Sequence, residues 1–444
     1  MTNKKVTVIG GGLAGSEAAY YLASRGVQVT LVDMKPKKFT PAHESENFGE
    51  LVCSNSLKSG DVHANACGLL KEEMRLIGSL TMEAAEYAKV PAGAALAVDR
   101  DKFSAYITEK LKSLETLEIV SEEVKKLPTV QEGGDEYLIV ATGPLTTGEL
   151  FEDVEKTTGK SLHFYDASAP IVSFESIDMS QAFTGDRYGK GTGDYINCPM
   201  DKPTYELFVE ELIHAERALL HDFEKGEIFE GCMPVEVMAS RGRETLRYGT
   251  LKPVGLGDKE NPPYAVLQLR KENEFGTAYN LVGFQTNLKF PEQKRVFSII
   301  PALKNAEYLR YGVMHRNTYI HSPSVLNRDF SFKNNTNVYF AGQITGVEGY
   351  VESAASGLLA AMHLADKLFG REEKRLDERT VCGGLESHIS QPNADFQPMN
   401  ANFGILSPLP VRIKNKKERY YALAERAIAV MKQTLGLAEN KDER

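Results

Sequence analysis

A thiol among small polar residues is the first feature here with chemical potential. In "ELVCSNSLKSG", Cys53 is followed by Ser54, Asn55, Ser56 and Ser59, whereas a structural cysteine ordinarily sits in an apolar run. A second thiol, Cys232, opens "CMPVEVMASRGRETLRYGTLKPVG" and is followed by Arg241, Arg243, Arg247 and Lys252. Cations favour the thiolate, which is the nucleophilic and basic form of cysteine. Taken singly, either thiol also reads as an inert buried side chain. The basic stretch likewise has two readings: a solvated face, or a loop that grips phosphates, with Tyr248, glycines and a proline interleaved. "YLRYGVMHRNTYIHSP", with Arg310, Arg316, His315 and His321, has a similar texture.

The five cysteines (Cys53, Cys67, Cys198, Cys232 and Cys382) are odd in number and contain no C-x-x-C pair. That pattern suits neither a zinc site nor a disulfide framework, so free thiols are expected. His315 and His321 lack an obvious third ligand, and no metal site is expected.

A second constellation lies at the N-terminus. Gly10-Gly11-Gly12-Leu13-Ala14-Gly15 is a G-x-G-x-x-G directly after the strand pattern "KVTVIG" and at the start of a helix pattern. In that context Gly10 permits the tight turn and Gly12 lets backbone approach a pyrophosphate. Gly15 allows close helix–strand packing, and the helix N-terminus offers free N–H groups and a positive dipole end. Asp33 closes the next strand pattern, "VQVTLVD", where a carboxylate meets an adenosine ribose. Glycine turns return in "ATGP", which contains Gly143, and in "AGQITG", which contains Gly342 and Gln343. These read as sheet-end turns or as turns closing over FAD. No second complete G-x-G-x-x-G is present for a resident nicotinamide nucleotide, so FAD is expected, with NAD(P)H as a visiting reductant.

The elements that must carry these residues follow from periodicity. The first thirty-three residues form one βαβ unit, "DEYLIVATGP" and "NVYFAGQITG" are buried strands running into glycine turns, and "YVESAASGLLAAMHLADKLFG" is an apolar-faced helix. Between about Ala182 and Thr336, tyrosines, prolines and short alternating runs indicate antiparallel strands. The expected fold is α/β: a discontinuous Rossmann-type FAD-binding domain (1–181 and 337–444, ending in an amphipathic helix) with an inserted α+β domain (182–336). The 444-residue length suits two or three such units. A formal charge of −9 argues against general polyanion binding, but a local basic patch could still hold RNA. No apolar run has transmembrane length, and glycines and Glu17 interrupt any signal-like segment, so a cytoplasmic location is expected.

Several long stretches resemble the folate- and FAD-dependent tRNA (uracil-5-)-methyltransferase family, TrmFO. They are "VIGGGLAGSEAA", "PAHESENFGELVCSNSLKS", "FEGCMPVEVMA", "RYGTLKPVGL", "YNLVGFQTNLKF", "RYGVMHRNTY", "FAGQITGVEGYVESAASG" and "FQPMNANFGIL". Asp33 stands where that family more often has Glu, and either carboxylate accepts a ribose hydroxyl. The resemblance implies that methylenetetrahydrofolate supplies a carbon, reduced FAD the reducing equivalents, and NAD(P)H the recharging of FAD. The implied target is the T-loop uridine of tRNA, position 54, in the T-arm. C5 of uracil becomes nucleophilic only after something adds at C6, which a thiolate does well, and a base must later remove the C5 proton. By resemblance Cys232 is the C6 nucleophile, Cys53 the general base, and Tyr350 in "VEGYVES" a residue near the flavin.

Three other readings are compatible with parts of this pattern. One is the same chemistry on a ribosomal RNA uridine. Another is wobble-uridine modification as in the related MnmG proteins, which are longer and carry a C-terminal helical extension. The third is a non-catalytic flavoprotein that binds RNA or an adhesion partner, against which the presence of both Cys53 and Cys232 argues.

Overall fold

The computed structural model describes residues 4–40, 42–146, 148–159, 161–189, 191–218, 233–257 and 260–437. Its first sheet has six strands in the order Ser331–Phe332, Asn335–Phe340, Glu136–Val140, Lys5–Ile9, Gln28–Asp33 and Leu117–Ser121. All pair in parallel except Ser331–Phe332, with Val8 opposite both Leu31 and Ile139. Runs such as "YLIV" are fully buried because helices cover both faces of a parallel sheet, leaving no solvated side to alternate towards. The expected α/β dinucleotide-binding architecture is therefore the observed one.

Two helices fix the edge of this sheet where the strand ends gather. Leu13–Ala23 follows the first strand, and Tyr350–Leu368 packs directly across it. Their approach is so close that a Cβ on Gly357 would lie 2.1 Å from the Ala14 carbonyl oxygen. Glycine there is a packing requirement, and it holds the N-terminus of the second helix beside the glycine loop.

The second sheet is antiparallel, in the order Phe183–Thr184, Tyr195–Met200, Ala265–Lys271, Ala278–Leu281, Ile171–Ser173 and Tyr308–Arg310. Helices Lys202–His214 and Phe290–Phe297 cover it through Phe208 and Phe297, which cluster with Phe284 beyond strand Ala278–Leu281, the rings packing 5.2–6.5 Å apart. This core runs from Ala169 to Ala306, and strand Asn335–Phe340 belongs to the first sheet. The inserted domain thus begins and ends earlier than the expected 182–336. Its first strand is only three residues long, too short to shift the texture of the sequence. An antiparallel ribbon, Ser161–Ala167 with Met314–Ile320, joins the two units.

Candidate active site

The glycine loop is shaped by contacts that forbid side chains at two positions and leave a third open. Gly10 has φ +101°, and a Cβ there would meet the Ala141 carbonyl oxygen at 2.4 Å. A Cβ on Gly15 would lie 1.8 Å from the Gly10 oxygen. Around the Cβ position of Gly12, by contrast, nothing lies within 4 Å. Gly12 also caps helix Leu13–Ala23 without a side-chain bond, and the first turn carries no acidic residue. An open cradle at a helix N-terminus with no competing anion fits the pyrophosphate of FAD.

The neighbouring residues complete this edge. Asp33 accepts hydrogen bonds from the Gly11 N–H (2.6 Å) and the Lys35 N–H (2.8 Å), which anchors its carboxylate at the strand end, beside the loop. The Ala141 N–H donates to Ile9, and the Ala341 N–H to Val140, so the turns bearing Gly143 and Gly342 stand beside the Gly10 turn. Gly342 donates to Ser356 Oγ (2.6 Å) and faces Ala14, while the Gln343 amide is engaged by Glu348. Three distant sequence turns form one rim.

A long loop carries Cys53 to the same region. The ring of Phe48 fills the space against Gly11, and the Gly49 N–H donates to the Gly11 oxygen at 2.9 Å. Four residues later the half-buried Cys53 meets Tyr350, at the start of the helix Tyr350–Leu368. The Tyr350 hydroxyl accepts from the Cys53 N–H (2.6 Å) and the Ser54 N–H (3.2 Å) and donates to Cys53 Sγ (3.0 Å). Burial pushes the Tyr350 pKa well up, the Cys53 sulfur adds to the rise, and Arg100 opposes it. The tyrosine therefore stays protonated, as a donor to sulfur.

Sequence reasoning missed three residues around this thiol. Arg100 pairs with Glu272 of the inserted domain (2.6 Å) and donates to the Leu51 oxygen (2.5 Å). Arg270 donates to Asn55 Oδ1 (3.0 Å) and Ser54 Oγ (2.8 Å), holding the polar residues that follow Cys53. Both guanidiniums act electrostatically on Cys53, the setting in which a thiol serves as nucleophile or base. Asn55, read from sequence only as part of a polar loop, also donates to the Lys271 and Val98 oxygens and so ties the two domains together.

The remaining thiols differ sharply. Cys67, Cys198 and Cys382 are buried, and burial pushes Cys67 up to about 11, Cys198 up to about 12 and Cys382 well above its ordinary value. Cys232, the expected nucleophile, lies outside the described residues. The basic cluster sits on the inserted domain. Arg241 ends helix Val235–Ser240, and Arg243 is 81% exposed with Glu210 at 3.5 Å. Arg247 lies over the Tyr264 ring (4.1 Å), donates to the Tyr264 oxygen and pairs with Glu244. Lys252 is half-buried. Arg247 thus has a structural role that its spacing did not reveal.

Against this geometry, residues 5–372 match the family model described as glucose inhibited division protein A. The methylenetetrahydrofolate–tRNA-(uracil-5-)-methyltransferase TrmFO of Acetivibrio thermocellus is 55% identical over 432 residues, spanning 96% of this chain and 98% of the relative. This chain belongs to the TrmFO family. The TrmFO of Fusobacterium nucleatum is 53% identical, over 97% of this chain and 99% of its own length. Among solved structures, GidA of Aquifex aeolicus superposes on this TrmFO chain with a TM-score of 0.67. At 16% identity, over 98% of this chain and 74% of the GidA chain, that likeness speaks for the fold alone.

Proposed function

We propose that this protein methylates C5 of a uridine in tRNA, the T-loop uridine at position 54 in the T-arm, with methylenetetrahydrofolate as carbon donor. The observation that carries this reading is end-to-end identity above 50% with TrmFO relatives, joined to a Cys53–Tyr350 pair beside a dinucleotide cradle. When bound, FAD supplies reducing equivalents and NAD(P)H replenishes them. Gly10, Gly11, Gly12, Leu13, Ala14, Gly15, Asp33, Gly143, Gly342 and Gln343 form the rim that would hold it.

The chain's own residues divide the proton work. Cys53, within the field of Arg100 and Arg270, takes the C5 proton once C6 has been attacked. Tyr350 orients the sulfur by donating to it and fixes the loop by accepting two backbone N–H groups. Cys232 is assigned the attack at C6, which needs the uridine flipped out of its stack. Arg241, Arg243 and Lys252 are assigned to RNA phosphates, with Arg247 bracing that surface. Among the described residues no helix is long and apolar enough to cross a membrane.

The test is direct. An unmodified tRNA transcript incubated with the enzyme, NADPH and folate labelled in its methylene carbon should gain label at C5 of uridine 54. Label appearing only in ribosomal RNA, or at the anticodon, would replace this reading with one of its alternatives.

A further inference from the structure

A second candidate RNA surface lies at the other end of the chain. Between Arg412 and Arg419 stand five cations (Arg412, Lys414, Lys416, Lys417 and Arg419) and one acid, Glu418, in a protein whose formal charge is −9. Arg412, Lys414, Lys416 and Lys417 are exposed. Several surface cations elsewhere are paired, as Arg243 is with Glu210, Arg295 with Glu211 and Glu292, and Lys289 with Glu216. Among the described residues none of these five cations has a carboxylate partner. The run therefore presents a net excess of positive charge, five cations against one acid.

Its placement on the helix points the same way. Lys416 and Lys417 are the first two residues of helix Lys416–Thr434, behind the Asn415 cap. Cations at a helix N-terminus oppose the macrodipole and weaken the helix, so local stability does not explain them. The Asn415 side chain already caps the Lys417 and Glu418 N–H groups, so the lysines add their own charge to the positive end of the helix dipole, which is the requirement of a polyanion.

Aromatic rings lie among these charges. Tyr420 stacks on Phe403 with ring centroids 4.2 Å apart, under Lys416 and Arg419. Tyr421 stacks on His63 at 4.5 Å and is 54% exposed. Basic side chains interleaved with accessible rings are the composition of nucleic-acid surfaces.

A chain of contacts also links the patch to the thiol site. Phe403 belongs to the loop whose Ala401 N–H donates to Glu352 (2.9 Å) and whose Asn400 accepts from Lys58 (2.5 Å). Glu352 is two residues beyond Tyr350, and Lys58 five beyond Cys53. We propose that the Arg412–Arg419 run, with Tyr420 and Tyr421, grips the phosphate backbone of the tRNA beside the Cys53–Tyr350 pair. This rests on the RNA-methylation reading and adds to it a binding surface separate from the Arg241–Lys252 cluster.

The experiment uses the full flavin-containing protein and an unmodified tRNA transcript, with affinity measured across a salt series. Replacing Arg412, Lys414, Lys416 and Lys417 together by Gln should raise Kd roughly tenfold or more near 0.1 M salt. The log–log salt slope should shrink by about 2–4, given about 0.9 per lost duplex phosphate contact. Flavin content and melting temperature should hold, because removing cations from a helix N-terminus does not weaken it. Changing the three lysines to Arg should preserve binding. An unchanged Kd and slope, with wild-type binding intact, would overturn the inference and leave the methylation reading standing. Weakened binding accompanied by lost flavin and a lowered melting temperature would mark the run as structural and also overturn it. A wild-type protein with no tRNA affinity would remove both.

Discussion

The hydroxyl oxygen of Tyr350 sits 3.0 Å from the Cys53 sulfur and 2.6 Å from the Cys53 amide nitrogen, joining residues 297 apart in sequence. One side chain thereby sets both the position of the loop and the direction of the thiol. Tyr350→Phe keeps the ring and removes this oxygen, leaving two N–H groups without their acceptor. Methylation should fall roughly 10²-fold or more, the range of a displaced acid–base group, with flavin content unchanged. Single-turnover rates with saturating tRNA check this. A rate within twofold of wild type would show that the pair is only a packing contact.

The glycine loop predicts two distinct failures. Gly12→Val projects a side chain into the open space assigned to the pyrophosphate, so the protein should fold, melt normally and purify without flavin. Gly15→Ala places a Cβ 1.8 Å from the Gly10 oxygen, so the strand–helix junction must shift and the melting temperature should fall. Flavin absorbance and thermal melting, measured on both variants, separate the two cases.

These contrasts show which parts of the site could be read from sequence. The G-x-G-x-x-G, Asp33 and the returning glycine turns are local patterns whose spacing carries the chemistry, and the structure gathers them on one rim. Tyr350 entered only through family resemblance, because nothing in "VEGYVES" says that its hydroxyl reaches Cys53. Arg100, Arg270 and Glu272 had no signal at all. Arg100 starts a helix, Arg270 and Glu272 lie at the end of a strand of the other domain, and they reach the Cys53 loop only through tertiary packing. The domain boundary was misplaced for a related reason: Ile171–Ser173 joins the second sheet with three residues, too few to register as a period. Arg247 shows the converse limit, since spacing grouped it with phosphate-binding cations while its partners, Tyr264 and Glu244, hold it against the protein.

Thiol reactivity should follow exposure and charge. At pH 8 iodoacetamide should modify Cys53 far faster than Cys67, Cys198 or Cys382, whose thiols are buried and whose ionisation is pushed upward. Cys53→Ala should lose methylation and keep FAD. Cys67→Ala, Cys198→Ala and Cys382→Ala should keep most activity and lose about 1 kcal/mol of stability each through small cavities. Peptide mass spectrometry of alkylated protein gives the order. Modification of Cys198 at a rate matching Cys53 would contradict this burial-based ranking.

A buried carboxyl that bonds none of the site residues around Cys53 yields a pH prediction with a definite sign. Glu73 is fully buried on helix Ala66–Ile77 and accepts the Val381 and Cys382 N–H groups (2.9 and 2.8 Å) at the start of helix Val381–Ser390. Those bonds favour the carboxylate, but burial dominates and pushes its pKa up to about 7 from an ordinary 4.5. Between these values the folded protein holds a proton that the unfolded chain has released. Stability from this group is therefore fully present below about pH 4.5 and is lost as pH rises to about 7, by at most about 3 kcal/mol. The two N–H groups bond separate carboxylate oxygens, so Glu73→Gln keeps a carbonyl oxygen for one of them and carries no proton to lose. Urea denaturation at pH 5 and at pH 7.5 should show the wild type losing more stability than Glu73→Gln over that interval. Equal losses would mean that Glu73 is already ionised in the folded protein at pH 5, with the two N–H bonds outweighing burial.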